Sequence, residues 1–360
     1  MIVADIARAR LHNQQLSRKA FDEPGDVVRW LGAVQAQDFA GAMWAVGQRI
    51  PGATEAGLER AFNDGSILRT HVMRPTWHFV APSDICWMLA LTEPRVNALN
   101  SHYYRKLGLD KALFMRSNDL MADALQGGKY LTRPELMGVL GQAGIDTSDL
   151  LRCTYLVMSA ELDAVICSGP RRGKQFTYAL LDERAPQAVM LAKEEALAEL
   201  TRRYFTSHGP ATLQDFVWWS GLTTSDARVG LELARSHLSH ELIDEQTYWV
   251  GASSPPPGET SPIAYLLPNY DEYTVGYADR SAVLDKAHTE KLDPRSGILS
   301  NVVVIDGMVA GTWKRTLKKD AVIVETNLFT PLSADETKAL TDAAERYGQF
   351  LGLDVQIAWL

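Results

Sequence analysis

The alternation of apolar and polar positions divides the chain into a helical part and a β-rich part. Up to about residue 250, apolar residues mostly recur at the three- to four-residue spacing of amphipathic helices. Beyond it, short apolar runs predict strands at 263–267, 301–305, 308–313 and 321–327, then a helix at 333–350 and a strand at 355–359. The prolines of segment 253–258 prevent both helix and central strand, so this segment is the predicted linker.

One order of elements repeats within the helical part. In residues 115–185, a helix ends at Gly127-Gly128, a second follows the cap Thr132, a third follows 147–149, and two strands flank a basic turn at 168–174. Residues 188–250 repeat this order, with a helix at 188–205, helices that open at Thr212 and at 223–226, and a strand at 246–250. The first 90 residues fit it with helices at 3–11, 24–34, 39–48 and 54–63 and strands at 67–71 and 76–80.

Three helices followed by a basic-tipped hairpin describe a winged helix. A chain of 360 residues also exceeds one typical domain of about 100–150 residues. The sequence therefore predicts an α+β fold of tandem winged-helix domains at 1–110, 111–186 and 187–258, followed by a fourth, β-rich domain at 259–360.

Composition narrows the cellular setting. No apolar run reaches the roughly 18 residues of a membrane helix, and the N-terminus lacks the basic and apolar regions of a secretory signal. Cys86, Cys153 and Cys167 are odd in number and lie in apolar sequence, which favours reduced thiols and a cytoplasmic protein without a membrane partner. His71 and His78 match no zinc spacing with Cys86, so we expect no metal and no cofactor.

The charge distribution leaves room for a nucleic-acid partner. The net charge of −8 opposes binding to a polyanion, but residues 1–110 carry 12 basic against 11 acidic side chains. Basic clusters also occur at Arg171, Arg172 and Lys174 and at Lys314 and Arg315. Lys314 and Arg315 follow a hairpin with an Asp-Gly turn at 306–307, where they contact DNA or only keep a strand soluble.

The best candidate for chemistry is the triplet Gln35-Ala36-Gln37, which lies between two apolar stretches. Two carboxamides one residue apart can hold one water without deprotonating it. That capability suits a leaving group that already carries positive charge, such as an N-alkylated purine, because positioning then supplies much of the catalysis. The alternative is that the glutamines only satisfy buried backbone groups.

Two further segments concentrate polar side chains. The predicted hairpin at 69–80 carries Arg69, His71, Arg74 and His78, and it either lines a cleft with the glutamines or forms a solvated edge. A second segment, 266–280, carries several acids, tyrosines and an arginine, either as a site or as a loop that Asp271 or Asp279 joins to Arg280. No phosphate-binding glycine loop, nucleophile elbow or HExxH motif is present.

Taken together, these segments resemble one family, the AlkZ-like winged-helix DNA glycosylases. The resemblance runs in the right order over nearly the whole chain, and it is carried by the triplet 35–37 and by the blocks 67–70, 74–80, 267–273 and 311–315. It implies three winged-helix domains in a C shape, a C-terminal β-barrel, and excision of N-alkylated purines together with the unhooking of some interstrand crosslinks. It also implies that Gln37 is the main water-positioning residue and Gln35 its partner. Ala36 is smaller than many residues at the middle position, so the substrate range stays open.

The expected reaction follows from the residues of the triplet. Water attacks C1′ while a cationic N7- or N3-alkylated purine departs, and no lysine near the triplet can form a Schiff base, so we expect a monofunctional enzyme. The expected partner is double-stranded DNA with alkylated bases, with no obligate protein partner. The residues predicted to contact DNA are Arg69, His71, Arg74, His78, Arg171, Arg172, Lys174, Asp271, Tyr273, Arg280, Lys314 and Arg315.

Two other functions fit parts of the pattern. A non-enzymatic winged-helix regulator would bind one operator sequence through a helix in the major groove and release no base. The helix predicted after 147–149 carries only Arg152 as a cation, which opposes that function. A protein-interaction scaffold would show no salt-sensitive binding to duplex DNA.

Overall fold

A computed structural model describes residues 3–252, 262–292 and 297–359, so the predicted linker at 253–258 lies outside the described residues. The helices are α1 (Val3–Asn13), α2 (Pro24–Leu31), α3 (Phe39–Gly47), α4 (Glu55–Asp64), α5 (Ile85–Lys106), α6 (Lys111–Leu125), α7 (Arg133–Gln142), α8 (Leu150–Leu162), α9 (Leu181–Arg184), α10 (Lys193–Ser207), α11 (Leu213–Ser220), α12 (Thr224–Ala234), α13 (Glu272–Val275) and α14 (Ala334–Leu351). The strands are β1 (Val34–Gln35), β2 (Leu68–His71), β3 (Trp77–Val80), β4 (Leu131–Thr132), β5 (Ile166–Ser168), β6 (Thr177–Leu180), β7 (Leu238–Ile243), β8 (Gln246–Gly251), β9 (Ala264–Leu267), β10 (Val302–Ile305), β11 (Met308–Leu317), β12 (Ala321–Leu328) and β13 (Asp354–Trp359).

One arrangement of helices and strands recurs along the helical part. From α2 to β3 the order is helix, short strand, two helices and two strands, and the sheet order is β1-β3-β2. From α6 to β6 the same order gives the sheet β4-β6-β5. From α10 to β8, a bridge between Ala211 and Trp249 stands where the first strand lies in the other two. In the first two modules the last strand pairs with both other strands. In the third module, β8 pairs with β7 and forms the bridge to Ala211.

The C-terminal strands form an open sheet rather than a barrel. Their order is β13-β12-β11-β10-β9, with β12 and β13 parallel and the other neighbours antiparallel. Within the described ranges, β9 and β13 do not pair, so the expectation of a closed β-barrel is wrong. The physical reason is that other elements cover both faces. Val303 packs with α14 and with helices of the first module, whereas Val302 and Val304 pack with Leu11 of α1.

The first module and the C-terminal sheet share a core. The Trp44 ring lies 4.9 Å from the Tyr347 ring and 5.1 Å from the Phe350 ring, and its indole nitrogen donates to the Leu266 carbonyl at 2.7 Å. A buried indole needs such an acceptor, since an unpaired donor in the core is costly. Strand β9 is thereby held against the first module.

Most predicted elements are present, and several differ. Helix α2 ends at Leu31 rather than at 34, and Val34 belongs to strand β1. Helix α10 begins at Lys193 rather than at 188, because the segment before it turns through Pro186 and is irregular. Strand β7 (Leu238–Ile243) was not predicted, because four of its six side chains are exposed and its sequence is too polar to show the apolar pattern of a strand. Helix α5 is 22 residues long and contains Pro94, although an internal proline normally ends a helix.

A buried ion pair joins the first module to the segment after β9. The Arg49 guanidinium binds Asp271 through two contacts, at 2.8 Å and 2.9 Å, and both side chains are fully buried. Arg49 also donates to the carbonyls of Gln14 and Ala45. A buried pair of this kind is worth little over an apolar pair, but loss of one partner leaves a charge stranded in the core.

Replacement of Arg49 by methionine should therefore lower the free energy of unfolding by about 3–5 kcal/mol, because Asp271 would lose its counterion. Urea unfolding followed by tryptophan fluorescence measures the change. Lys338→Met is the control, since its pair with Asp342 lies on the surface at 3.0 Å and should contribute less than about 1 kcal/mol. Equal effects of the two substitutions would contradict the buried-pair account.

Candidate active site

The glutamine triplet has a fixed backbone. β1 pairs with β3, which places Gln35 opposite His78. The Ala36 amide donates to the Trp77 carbonyl at 2.7 Å, and the Ala36 carbonyl accepts from Arg69 Nε at 3.0 Å. Ala36 is therefore bound through both its amide and its carbonyl, so the triplet has little freedom to move.

The two glutamine side chains occupy different environments. Gln35 is 8 % exposed, and its amide oxygen accepts from Arg74 Nη2 at 3.2 Å. Gln37 is exposed, and its carboxamide makes no hydrogen bond within the described ranges. Asp38 caps α3 immediately afterwards by accepting from the Gly41 amide at 3.1 Å, which fixes where the extended segment ends. Gln37 therefore presents a free amide from a rigid support.

A buried carboxylate lies directly behind the triplet. Glu272 Oε1 accepts from the Gln35 amide at 2.9 Å, while Oε2 accepts from Trp219 Nε1 at 2.8 Å and lies 3.3 Å from His208 Nε2. Burial acts to raise the pKa of Glu272, but His208, the Gln35 amide and Arg74 lower it more, so the net pKa lies below its ordinary value. Glu272 is thus an ionised group in the protein interior.

Arg74 and His78 form the other side of the same cluster. Arg74 donates to the Trp219 carbonyl at 2.8 Å and lies 3.3 Å from His78 Nε2. His78 Nδ1 lies 3.0 Å from the Thr76 carbonyl. Burial, and then the charge of Arg74, lowers the pKa of His78 to about 3. His78 is therefore neutral at physiological pH, with its Nδ1 hydrogen on Thr76 and its Nε2 free to accept from Arg74.

Several residues expected to contact DNA lie inside the protein. His78, Asp271 and Tyr273 are fully buried, and His71 is 2 % exposed and paired with Glu161. Our expectation of direct DNA contact is not met for these four side chains, because each satisfies a partner in the core. Asp271 does not join Arg280 as a surface loop would require, since it pairs with Arg49.

Two predicted arginines support the site from within. Arg69 stacks over the Trp77 ring, 4.4 Å from its centroid, and burial lowers its pKa to about 10. Arg280 donates from Nε to the Thr274 carbonyl at 2.9 Å and lies over Trp218 at 5.3 Å. Both guanidiniums are thus engaged by the protein.

The remaining basic residues lie on or near the surface. Arg172 and Lys174 are exposed at the turn between β5 and β6, although Arg172 contacts Glu135 at 2.7 Å. Arg171 is partly buried between Glu59 and the ring of Phe39, with its guanidinium 5.0 Å from that ring. On β11, Lys314 is exposed, whereas Arg315 is half-buried and bonded to the Tyr347 hydroxyl.

A polar cleft lies at the start of α3. Its volume is about 230 Å³, and its wall includes Asp38, the residue after Gln37. The rest of its wall consists of three aromatic side chains, Trp44, Tyr270 and Trp313, of Arg315, Gly41, Pro268 and Leu299, and of three amide or hydroxyl side chains. These polar wall residues are Asn269, Ser300 and Asn301.

Sequence reasoning missed the central residues of this cluster. By sequence, Glu272 is one of several acids in segment 266–280, and nothing in the spacing of Trp219 and His208 indicates that they meet it across 53 and 64 residues. One signal existed: Glu272 lies five residues after the apolar run predicted as the strand 263–267, and a carboxylate so close to a buried strand must find donors inside the fold.

The fold of recurring helix–sheet modules matches that of one solved structure. The solved structure of the Streptomyces sahachiroi DNA glycosylase AlkZ superimposes with a TM-score of 0.81 at 24 % identity, covering 99 % of both chains. A curated relative from Streptomyces sahachiroi, described as an interstrand DNA cross-link repair glycosylase, is 26 % identical over 323 residues, or 85 % of each chain.

The family model described as DNA glycosylase AlkZ-like matches residues 28–350, and the chain belongs to this family. The protein is therefore a DNA glycosylase, a hydrolase of N-glycosyl bonds, and membership in an enzyme family does not favour the regulator. The resemblance seen in the sequence is confirmed. Among the described helices, none has the length and apolar character needed to cross a bilayer.

The buried His78 predicts an acid sensitivity of folding. Its folded pKa of about 3 lies below the unfolded value, so the unfolded chain binds a proton first as the pH falls below about 6.5. Stability is full above that pH and decreases towards pH 3, by about 1 kcal/mol per pH unit for this group. His78→Gln should make the decrease in urea-unfolding free energy between pH 6.5 and 5 shallower by that amount. An unchanged slope would contradict the neutral, buried state of His78.

Proposed function

We propose that this enzyme hydrolyses the N-glycosidic bond of cationic N-alkylated purines, N7-alkylguanine and N3-alkyladenine, in double-stranded DNA. The observation that carries the proposal is the contrast within the triplet: Gln35 is buried and bound by Arg74, while Gln37 is exposed on a fixed backbone. Gln37 then holds the attacking water, and Gln35 keeps the strand in place. The reaction leaves an abasic site without cutting the strand.

The chemistry suits a neutral amide. An alkylated purine carries positive charge, so it leaves as the sugar gains oxocarbenium character, and the water needs orientation more than deprotonation. The Gln37 amide oxygen accepts one water hydrogen and directs the oxygen lone pair towards C1′. Uncharged bases such as uracil or 8-oxoguanine should react poorly, because they leave only with protonation or stronger base catalysis.

Interstrand crosslinks extend the same chemistry. A crosslink through a purine N7 makes that purine cationic on its own sugar, just as a methyl group does. The curated relative is named for crosslink repair, which supports the same role here. The cleft beside Asp38 is lined by aromatic walls and amide edges, which supports a place for a nucleobase next to Gln37.

We further propose that the three recurring modules are winged helices that bind the duplex, within the domains 1–110, 111–186, 187–258 and 259–360. The order of elements and the central position of the last strand support this assignment. Exposed cations at the turn between β5 and β6 and on β11 supply phosphate contacts, chiefly Lys174 and Lys314. Three unpaired cysteines support a cytoplasmic location.

Gln37→Ala should abolish most release of N7-methylguanine from a duplex, by about 100-fold or more, because the water loses its acceptor. DNA affinity should stay within a few fold of the wild type, since the side chain contributes no charge. Alkali-labile abasic sites measure release under single-turnover conditions, and fluorescence anisotropy measures binding. N3-methyladenine and an N7-linked crosslink serve as further substrates.

Gln187→Ala is the matched control, because Gln187 is an exposed glutamine on the irregular segment before α10. It should leave both rate and affinity unchanged. Equal losses of rate and affinity in Gln37→Ala would refute the role of Gln37, and wild-type release from a uracil duplex at a similar rate would refute the preference for cationic bases.

The phosphate contacts predict a salt dependence. Lys174→Ala and Lys314→Ala should each weaken binding to lesion and undamaged duplexes equally and reduce the slope of log affinity against log salt by about 1. Lys338→Ala on α14 is the control, because that ammonium pairs with Asp342. A slope unchanged in the two test variants would place these lysines outside the DNA interface.

A further inference from the structure

A buried acid lies behind the triplet. Glu272 lies where three parts of the chain meet: Gln35 belongs to the first module, Trp219 and His208 to the third, and Glu272 itself begins α13 after the C-terminal strand β9. No other hydrogen bond from a side chain reaches a backbone amide of the triplet in the described ranges. The position of β1 therefore depends on a carboxylate from a distant part of the sequence.

We propose that Glu272 is a positioning residue for base excision: its carboxylate fixes the strand that ends in Gln37 and so sets the place of the water. The inference rests on the proposed function of Gln37. Among the described residues, Oε1 binds the strand alone, and Oε2 is held by Trp219 of α11 and by His208, which directly follows α10. The carboxylate therefore transmits the position of the third module to the triplet.

The partners of Glu272 distinguish it from an ordinary buried ion pair. The neighbouring Asp271 is neutralised by a bidentate contact with Arg49. Glu272 instead accepts from a backbone amide, an indole and an imidazole, and the nearby guanidinium of Arg74 bonds to the Gln35 side chain. Burial of such a carboxylate is costly, and apolar residues would serve stability as well.

Arg74 completes a clamp on Gln35. Glu272 holds the Gln35 backbone from one side, and Arg74 holds its side-chain oxygen from the other while anchored to the Trp219 carbonyl. Trp219 therefore contacts both halves of the clamp, through its indole nitrogen and through its carbonyl. A shift of this helix end moves both halves together, and a small displacement of a water relative to C1′ costs much rate.

The test uses the full-length protein and a duplex with one N7-methylguanine. Glu272→Gln keeps the shape of the side chain and one acceptor oxygen, but an amide nitrogen that cannot accept a hydrogen bond replaces the other oxygen. The single-turnover rate constant should therefore fall about tenfold. Glu272→Ala removes both acceptor oxygens, and its rate constant should fall about 100-fold. Affinity for the duplex should change less than about threefold in both variants.

Asp84→Asn is the matched control for a general effect on folding. Asp84 is also buried, and it accepts from the Trp87 indole and the Arg203 guanidinium, but it makes no contact with the triplet or with α11. It should lower the melting temperature without changing the rate constant of the folded enzyme. Trp219→Phe provides a second variant that keeps Glu272 and removes one donor, with an expected loss of about threefold or more.

A double-mutant cycle separates this inference from the proposed function. In a Gln37→Asn background, which keeps a shorter amide, Glu272→Gln should add less than about threefold, because a residue that acts through Gln37 loses its effect when Gln37 is displaced. Equal effects in both backgrounds, or a wild-type rate in Glu272→Gln, would overturn the role of Glu272 while leaving that of Gln37 intact. A wild-type rate in Gln37→Ala would instead refute the proposed function itself.

Discussion

The site depends on one hydrogen bond, from the Gln35 amide to the buried carboxylate of Glu272. That contact joins a two-residue strand, too short to be stable on its own pairing, to a carboxylate that the third module holds in place. An ionised group inside a protein must be surrounded by hydrogen-bond donors, and the indole of Trp219 and the imidazole of His208 both contact the Glu272 carboxylate. The position of the exposed Gln37 amide therefore depends on these contacts to Glu272.

The rest of the fold keeps Glu272 where the strand needs it. The preceding residue, Asp271, is locked to Arg49 of the first module, and the shared core around Trp44 holds β9 against α3. The sheet is open and covered on both faces, so α14 and α1 fix it from opposite sides. Modules distant in the sequence therefore meet in one rigid cluster behind the triplet, while the residue that faces solvent is an uncharged amide.

Local signals in the sequence predict much of the fold. Caps at Thr132, Thr212 and Thr223 begin helices as expected, and the strand pairs of the first two modules lie within about two residues of their predicted bounds. Whether the last sheet closes depends on contacts between its edge strands, which no local pattern specifies. For the same reason, burial of Asp271 and Tyr273 was not foreseeable: their partners are Arg49, just after α3, and Ala7 of α1, more than 200 residues away.

The most direct test is an experimental structure with a duplex that carries a cationic aza-sugar at the lesion position, which imitates the charge of the oxocarbenium ion. The account predicts one ordered water about 3 Å from the Gln37 amide oxygen and on the face of the sugar opposite the departing base, with the Gln35 amide still on Glu272. A Gln37 side chain turned away from the sugar, or a water bound instead by a carboxylate, would contradict it.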